Sequence, residues 1–555
     1  MPVGAARPAT PPPPIMEFIR FLRKESGRYG TRIAAVTLFA GIANAVIMAV
    51  ILGAASTAAN TQVNVQYLVM FVLALVALMV AKRYSLNHTT RLTEQIVERL
   101  RVRMSDKIRR SELLYFEKVG QVQFMTILTK ETQMISNTAS MTISAAASAV
   151  MLVASFAFVA WLSLPAFFLS LGAIALAVLA YRASLAQMNA QLHETVRVEN
   201  KFFDLLNHIL SGFKEVKIDS RKNRDLFDNY LVPVSREVRE LKTRTNEQFV
   251  TKTLISHTAF YVLLATIIFL LPRMVQVDAA VVMKVTAVML FIFGPLAEVV
   301  GIIPYIARAG VSIETIRNME KSLDDEVARH PPADLTRNPA PLAFKEIVID
   351  DLSFSYPSID GTPGYTVGPL NAKIAAGEIL FIMGGNGSGK STFLKLLTGL
   401  YFPSSGKITV DGKPLLRTNV HRYRNMFSTI FTDFHLFDRL YGLEEVDRDQ
   451  LAQLLEDFEL TDKTAFVDGR FSELNLSTGQ RKRLSLVIAL LEKKEVLIFD
   501  EWAADQDPQF RKHFYEDILQ DLKKQGKTVI AATHDDRYFH VADRVLKMEW
   551  GKFVS

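Results

Sequence analysis

The sequence predicts a membrane all-α domain of six transmembrane helices fused to an α/β P-loop domain. Three observations predict it. Six apolar runs, each long enough to cross a bilayer, fall within the first 305 residues. Long basic segments recur on only one side of those runs. Beyond Phe344, short β-type runs alternate with helical patterns around a glycine-rich loop. The chain's 555 residues exceed what one hydrophobic core organises, and 49% hydrophobic beside 22% charged residues fits a membrane part joined to a soluble part. The net charge of +7 belongs in cytoplasmic loops and makes no case for nucleic acid as a partner. The absence of cysteine excludes disulfides and thiolate metal sites, and the ten histidines show no zinc-ligand spacing.

Residues 1–14, rich in Pro and Ala, cannot build a core and are predicted to be disordered. The first long apolar run begins after Thr31 and is too long for a signal-peptide core, so it is expected to stay as an anchor. Just before it, Ile15, Phe18, Ile19 and Leu22 line one helical face, with Arg20, Arg23 and Lys24 elsewhere, as in a short helix lying on the inner leaflet. The six spans are expected near 32–54, 64–82, 138–160, 165–181, 249–271 and 282–305. Segment 82–137 carries eleven Lys or Arg and segment 182–248 carries twelve, against one, Arg273, in the three opposite loops. The positive-inside rule therefore places both long segments and both termini in the cytoplasm. These segments are charged and poor in Gly and Pro. The spans should thus continue as helices beyond the bilayer and turn near Phe116–Gln121 and Leu206–Lys217, where contact with the soluble domain is expected. Glu298, after Pro295 in the sixth span, and His257 in the fifth are candidates for a substrate cavity, because an ionisable group inside a span is costly. For Glu298 the alternative is a helix that has already reached cytoplasmic water. The membrane domain is thus expected over 15–318, a charged, Pro-containing linker over 319–342 and the α/β domain over 343–555.

Gly384-Gly385-Asn386-Gly387-Ser388-Gly389-Lys390-Ser391 matches the phosphate-binding P-loop, preceded by the strand-like run 379–383 and followed by a helical run from Ser391 and Thr392. The glycines let backbone N–H groups curl around phosphate, and the helix N-terminus adds positive potential. Lys390 is placed to reach β- and γ-phosphates, and the Ser391 hydroxyl to bind magnesium. The strand-like run 496–499 ends in Asp500 and Glu501. Asp500 is the candidate magnesium holder, and Glu501 the group that orients and deprotonates the attacking water, a role typically worth about 10²–10⁴ in rate.

Leu476-Ser477-Thr478-Gly479-Gln480, followed by Arg481-Lys482-Arg483, resembles the signature motif of ATP-binding cassette proteins, with Thr478 where that family usually has glycine. The resemblance implies further roles: Asp507 as the D-loop aspartate, His534 as the switch histidine, and Tyr356 as the aromatic that stacks on adenine, with Tyr365 a weaker candidate. It also implies that the signature acts on a partner's ATP, Ser477 and the Gly479 backbone contacting the γ-phosphate. A second copy of the chain is then the simplest partner; a heterodimer stays open. The family's loop glutamine is missing. Thr432 occupies its position with Asp433 beside it, and either could assist magnesium. The short stretch from there to the signature suggests a trimmed helical subdomain.

Six spans followed by one cassette resemble the exporter class. The stretch Asp500-Glu501-Trp502-Ala503-Ala504-Asp505-Gln506-Asp507-Pro508, the Thr-containing signature and Asp433-Phe434-His435-Leu436-Phe437 resemble the cyclic-peptide and siderophore exporter family, which includes pyoverdine-precursor, syringomycin and microcin exporters. That resemblance implies ATP and Mg²⁺ as ligands, a bacterial inner membrane, and a peptide natural product moved from cytoplasm to periplasm. A periplasmic adaptor and an outer-membrane channel are further partners it leaves open. An importer of iron-siderophore on the same scaffold, a lipid flippase, and an ATP-gated regulatory or channel-like protein are the alternatives. The six spans exclude a soluble repair or translation cassette.

Overall fold

A computed structural model describes residues 14–57, 65–275, 278–329, 343–357, 364–443 and 446–554. The expected N-terminal disorder therefore falls, up to residue 13, outside the described residues, as does segment 330–342 of the expected linker. The chain forms two compact units: residues 1–106 with 121–322, and residues 107–120 with 323–555.

The first unit is helical. Its elements are α1 (Pro14–Thr57), α2 (Val65–Arg110, its end from residue 107 counted in the second unit), then, after a short helix α3 (Leu113–Val119) that belongs to the second unit, α4 (Gln121–Leu162), α5 (Leu164–Ser211), α6 (Phe213–Ile218), α7 (Ser220–Met274), α8 (Ala279–Gly301) and α9 (Ile303–Arg329, its end from residue 323 counted in the second unit). Among the described residues five helices are long and apolar enough to cross a membrane, and a sixth apolar stretch, Leu164–Leu176, opens α5. The rest of the fourth expected span lies where only the backbone is described.

Local chemistry sets the turns. Ser163 caps α5 by accepting from the Ala166 amide at 3.4 Å, with Pro165 in the first turn. Asp278 caps α8 through the Ala280 amide. Met48, Val159, Ile267, Val285, Val288 and Ile292 form the buried centre. Lipid is as apolar as these side chains, so close packing rather than water exclusion holds the helices together. At Gly41 a Cβ would sit 2.7 Å from Val150 Cβ, so glycine sets the approach of α1 to α4. Outward-facing Leu73, Val153, Trp161 and Met283 are strongly exposed, as a lipid-facing surface requires.

Two expectations need correction. Residues 14–31 do not form a separate interfacial helix: α1 runs unbroken from Pro14 through the first span, and Phe18 is fully buried. Gly27 and Gly30 lower helix propensity without breaking it. The expected linker is helical to Arg329, because Glu320, Lys321, Asp324 and Glu326 favour helix while Leu323 is buried on its inner face.

The second unit is built on two sheets. β1 (Glu346–Ser355), β2 (Thr366–Ala375), β4 (Ser405–Val410) and β5 (Lys413–Pro414) form an antiparallel sheet in the order β2-β1-β4-β5. β3 (Ile379–Met383), β6 (Phe427–Ile430), β9 (Val496–Asp500), β10 (Thr528–Ala532), β11 (Arg544–Glu549) and β12 (Lys552–Val554) form the second, in the order β12-β11-β3-β10-β9-β6. It is parallel except for β12. A small hairpin, β7 (Phe466–Val467) with β8 (Arg470–Phe471), lies between β6 and the signature. Strands β9 and β10 are buried along their whole length, as continuous apolar runs in a covered parallel sheet should be. The helices that matter below are α10 (Lys390–Leu397), α11 (Val420–Arg424), α12 (Arg448–Asp457), α13 (Thr478–Leu491) and α14 (Pro508–His513). Among the described residues α12 is the one α-helix between β6 and α13, so the helical subdomain is small.

Candidate active site

The carboxyl ends of β3, β9 and β10 meet at one edge, where ligands of open α/β sheets bind. The loop from β3 to α10 needs its glycines. Gly387 and Gly389 have φ of 76° and 103°, and a Cβ on Gly384 would meet the Met548 carbonyl at 2.2 Å. Gly389 opens α10, so its free N–H groups face the loop. Lys390 is 4% exposed. Its Nζ donates to the Gly384 and Gly385 carbonyls at 2.8 and 3.2 Å, and lies 3.2 Å from Glu501 Oε1.

Asp500 and Glu501 end β9 facing this loop. Burial pushes the Asp500 carboxyl above the usual range, opposed by the hydroxyls of Ser391 and Thr432. Glu501 adopts a left-handed conformation, φ 52°. Its Oε1 lies 2.7 Å from His534 Nε2. Burial alone would raise the Glu501 carboxyl, but hydrogen bonds from His534 and Lys390 and their charge outweigh it, so the carboxylate is held below its ordinary value. The carboxylate is thereby ionised and able to accept a hydrogen bond from water, while the same contacts make it a weaker base than a free glutamate.

The residues fit a magnesium–nucleotide. Asp500 Oδ1 and Ser388 Oγ are buried without a hydrogen-bond partner in the fold, a cost that bound cation or phosphate removes. Ser391 and Asp500 would hold the ion, which when bound neutralises phosphate charge. Thr432 and Asp433 are both exposed; Thr432 donates to the Asp500 main-chain carbonyl at 3.3 Å and so stands beside this pair. The cleft, about 520 Å³, is lined by Tyr356, Tyr365, residues 386–392 and Glu501. Tyr356 bonds Thr392 Oγ1 at 2.9 Å; Tyr365 donates to the Gly387 carbonyl at 3.1 Å and keeps 42% of its surface exposed.

The signature stands at the start of α13. Ser477 caps it with Gln480 in a reciprocal capping box. Thr478 takes the first helical position, where backbone geometry does not demand glycine. Gly479 does need to be small: a Cβ would meet the Asp505 carbonyl at 2.9 Å. Leu476 packs on the core while Ser477 and Thr478 are exposed. Asp507 caps α14 through the Phe510 amide and pairs with Arg483 at 2.5 Å. The Phe510 amide, ahead of Arg483, holds its carboxyl low.

Sequence reasoning missed two contact sets. Lys482 and Arg483, quoted only as a basic run, are 3% and 9% exposed and bind the loop after β9. Their burial beside charge is a tertiary fact with no local signal. Glu117 of α3 accepts from Lys395 (2.9 Å) and Tyr401, and Glu112 pairs with Arg417 at 3.3 Å. The first expected turn thus packs within the second unit. The second expected turn, Leu206–Lys217, spans the end of α5 and most of α6 and lies in the first unit, with Ile218 just beyond it 87% exposed.

Residues 29–223 match the family described as ABC transporter transmembrane region, and residues 367–504 the family described as ABC transporter. The ATP-binding protein SyrD of Pseudomonas syringae pv. syringae is 30% identical over 468 residues, 82% of either chain. This chain belongs to the ABC transporter family. It is a multi-pass membrane protein whose ATPase domain hydrolyses ATP to drive transport. The transporter is also 28% identical over 292 residues to the mating factor M secretion protein mam1 of Schizosaccharomyces pombe, half of this chain and 21% of that one. A solved bacterial Atm1-family ABC exporter with ATP bound shares its fold, with a TM-score of 0.74 over 96% of this chain and 95% of that one at 17% identity.

Proposed function

We propose that this transporter exports a peptide natural product (a cyclic peptide, a siderophore or a siderophore precursor) from cytoplasm to periplasm across a bacterial inner membrane, as a homodimer with both termini cytoplasmic. The observation that carries the reading is that the likeness runs through both parts at once: one relative over 82% of the chain and one exporter fold over 96%. The secretion role in mam1's name agrees with outward movement of a cargo.

In this reading the P-loop amides and Lys390 hold the phosphates, Ser391 and Asp500 hold magnesium, and Tyr356 stacks on adenine. Ser477 and Gly479 of one copy close over the nucleotide of the other. Glu501 takes the proton of the attacking water, His534 keeping its carboxylate in place. Closure pulls on α3, whose Glu117 is fastened to Tyr401 and Lys395, and α3 follows directly on α2 in the chain. Glu298, hydrogen-bonded by Ser148 at 2.5 Å, and His257, its ring 5.0 Å from Phe293, face the cargo path.

The test compares peptide metabolites in cytosol, periplasm and medium by mass spectrometry, in wild-type and Glu501→Gln strains grown under iron limitation. Export predicts that one peptide mass accumulates in the mutant cytosol and disappears outside. Unchanged secretion with lost uptake of iron-siderophore would reverse the direction. Unchanged peptides with altered lipid distribution between leaflets would make it a flippase.

A further inference from the structure

Lys482 lies one turn into the signature helix α13, yet its ammonium is buried. A buried ammonium persists only where partners replace water. Here there are two. Nζ donates to the main-chain carbonyl of Glu501 at 2.8 Å and pairs with Asp505 Oδ2 at 2.6 Å. The tie is returned: the Trp502 indole, 1% exposed, donates to the Lys482 carbonyl at 2.9 Å and its ring packs 4.3 Å from that of Phe514. Side chain to backbone in both directions, α13 and the loop after β9 are locked together at the residue before Trp502.

That residue is Glu501, and its backbone needs holding. A left-handed conformation at a non-glycine residue is unfavourable and persists where surroundings over-determine it. The Glu501 amide donates to the Ala532 carbonyl at 3.0 Å, so one face of the turn is fixed by β10 and the other by Lys482. From this turn the carboxylate reaches His534 Nε2 at 2.7 Å and Lys390 Nζ at 3.2 Å.

We propose that Lys482 is a positioning residue for ATP hydrolysis. It fixes the Glu501 main chain from the signature helix, so that the helix whose start reaches for the partner's nucleotide also sets the base at its own site. The inference rests on Glu501 being the group that activates water.

The test measures steady-state MgATP hydrolysis by the full-length chain in lipid nanodiscs. Variants are Lys482→Met, which keeps the apolar stem, Lys482→Arg, which keeps the charge, and Glu501→Gln. A misaimed base with an intact P-loop predicts that Lys482→Met lowers kcat at least about tenfold with KM within twofold, and that Lys482→Arg recovers a third or more of the rate. Wild-type kcat in Lys482→Met overturns the proposal, as does a KM that rises in step, or an arginine variant no better than methionine. If Lys482→Met does not fold, Lys482→Gln is read by the same criteria. Glu501→Gln separates the two levels: if it turns over ATP like wild type, the reading of Glu501 itself fails; if it is inactive while Lys482→Met is normal, only the role of Lys482 fails.

Discussion

Replacing Glu117 by alanine removes the acceptor that holds α3 on the cassette. Tyr401 is 3% exposed, so its hydroxyl loses a partner where water does not reach, at about 1–2 kcal/mol. The Lys395 pair at 2.9 Å adds less, about 0.5–1 kcal/mol, because Glu117 is 37% exposed and solvent screens it. Together they shift the undocking equilibrium of α3 by about 1.5–3 kcal/mol, or roughly 12- to 140-fold. Hydrogen exchange read by mass spectrometry on peptides covering residues 113–119 should show that loss of protection. Lys118→Ala, an exposed change on the same helix, should not. Wild-type protection in Glu117→Ala would refute the argument that these contacts fasten α3.

Lys390→Ala should nearly abolish ATP-dependent approach of the two cassettes, followed as distances between spin labels; closure that persists with ATP counts against the P-loop assignment. Gly384→Ala should weaken ATP binding about tenfold or more by calorimetry, since its Cβ would sit 2.2 Å from the Met548 carbonyl and the loop must move. Tyr356→Ala should raise KM for ATP roughly 2- to 12-fold, the worth of one aromatic stack; an unchanged KM there with a raised one in Tyr365→Ala would move the adenine platform to Tyr365.

What the sequence made legible follows from the range of the interactions. The P-loop reads locally because eight consecutive residues, 384–391, must bend around phosphate, and no distant residue is needed to recognise the bend. The spans read because about 20 apolar residues must satisfy a bilayer by themselves. The linker misread at 319–329 shows the limit: a charged stretch looks like a connector until one sees Leu323 buried on one face. The Lys482 tie was invisible because its partners stand 19 and 23 residues away in sequence, on the other side of a strand. Tyr401 and Glu117 are 284 residues apart, and neither carries a motif. Thr432 shows the reverse case. Its departure from the family pattern was plain in sequence, and its place beside Asp500 needed coordinates.

The most direct measurement is phosphate release from MgATP by the purified full-length chain in lipid nanodiscs, wild type against Glu501→Gln. The account predicts steady turnover in the wild type and a loss of about 10²-fold or more in the variant, with ATP still bound. Equal rates in the two proteins would contradict it, because the base at the end of β9 would then have no part in the reaction that drives transport.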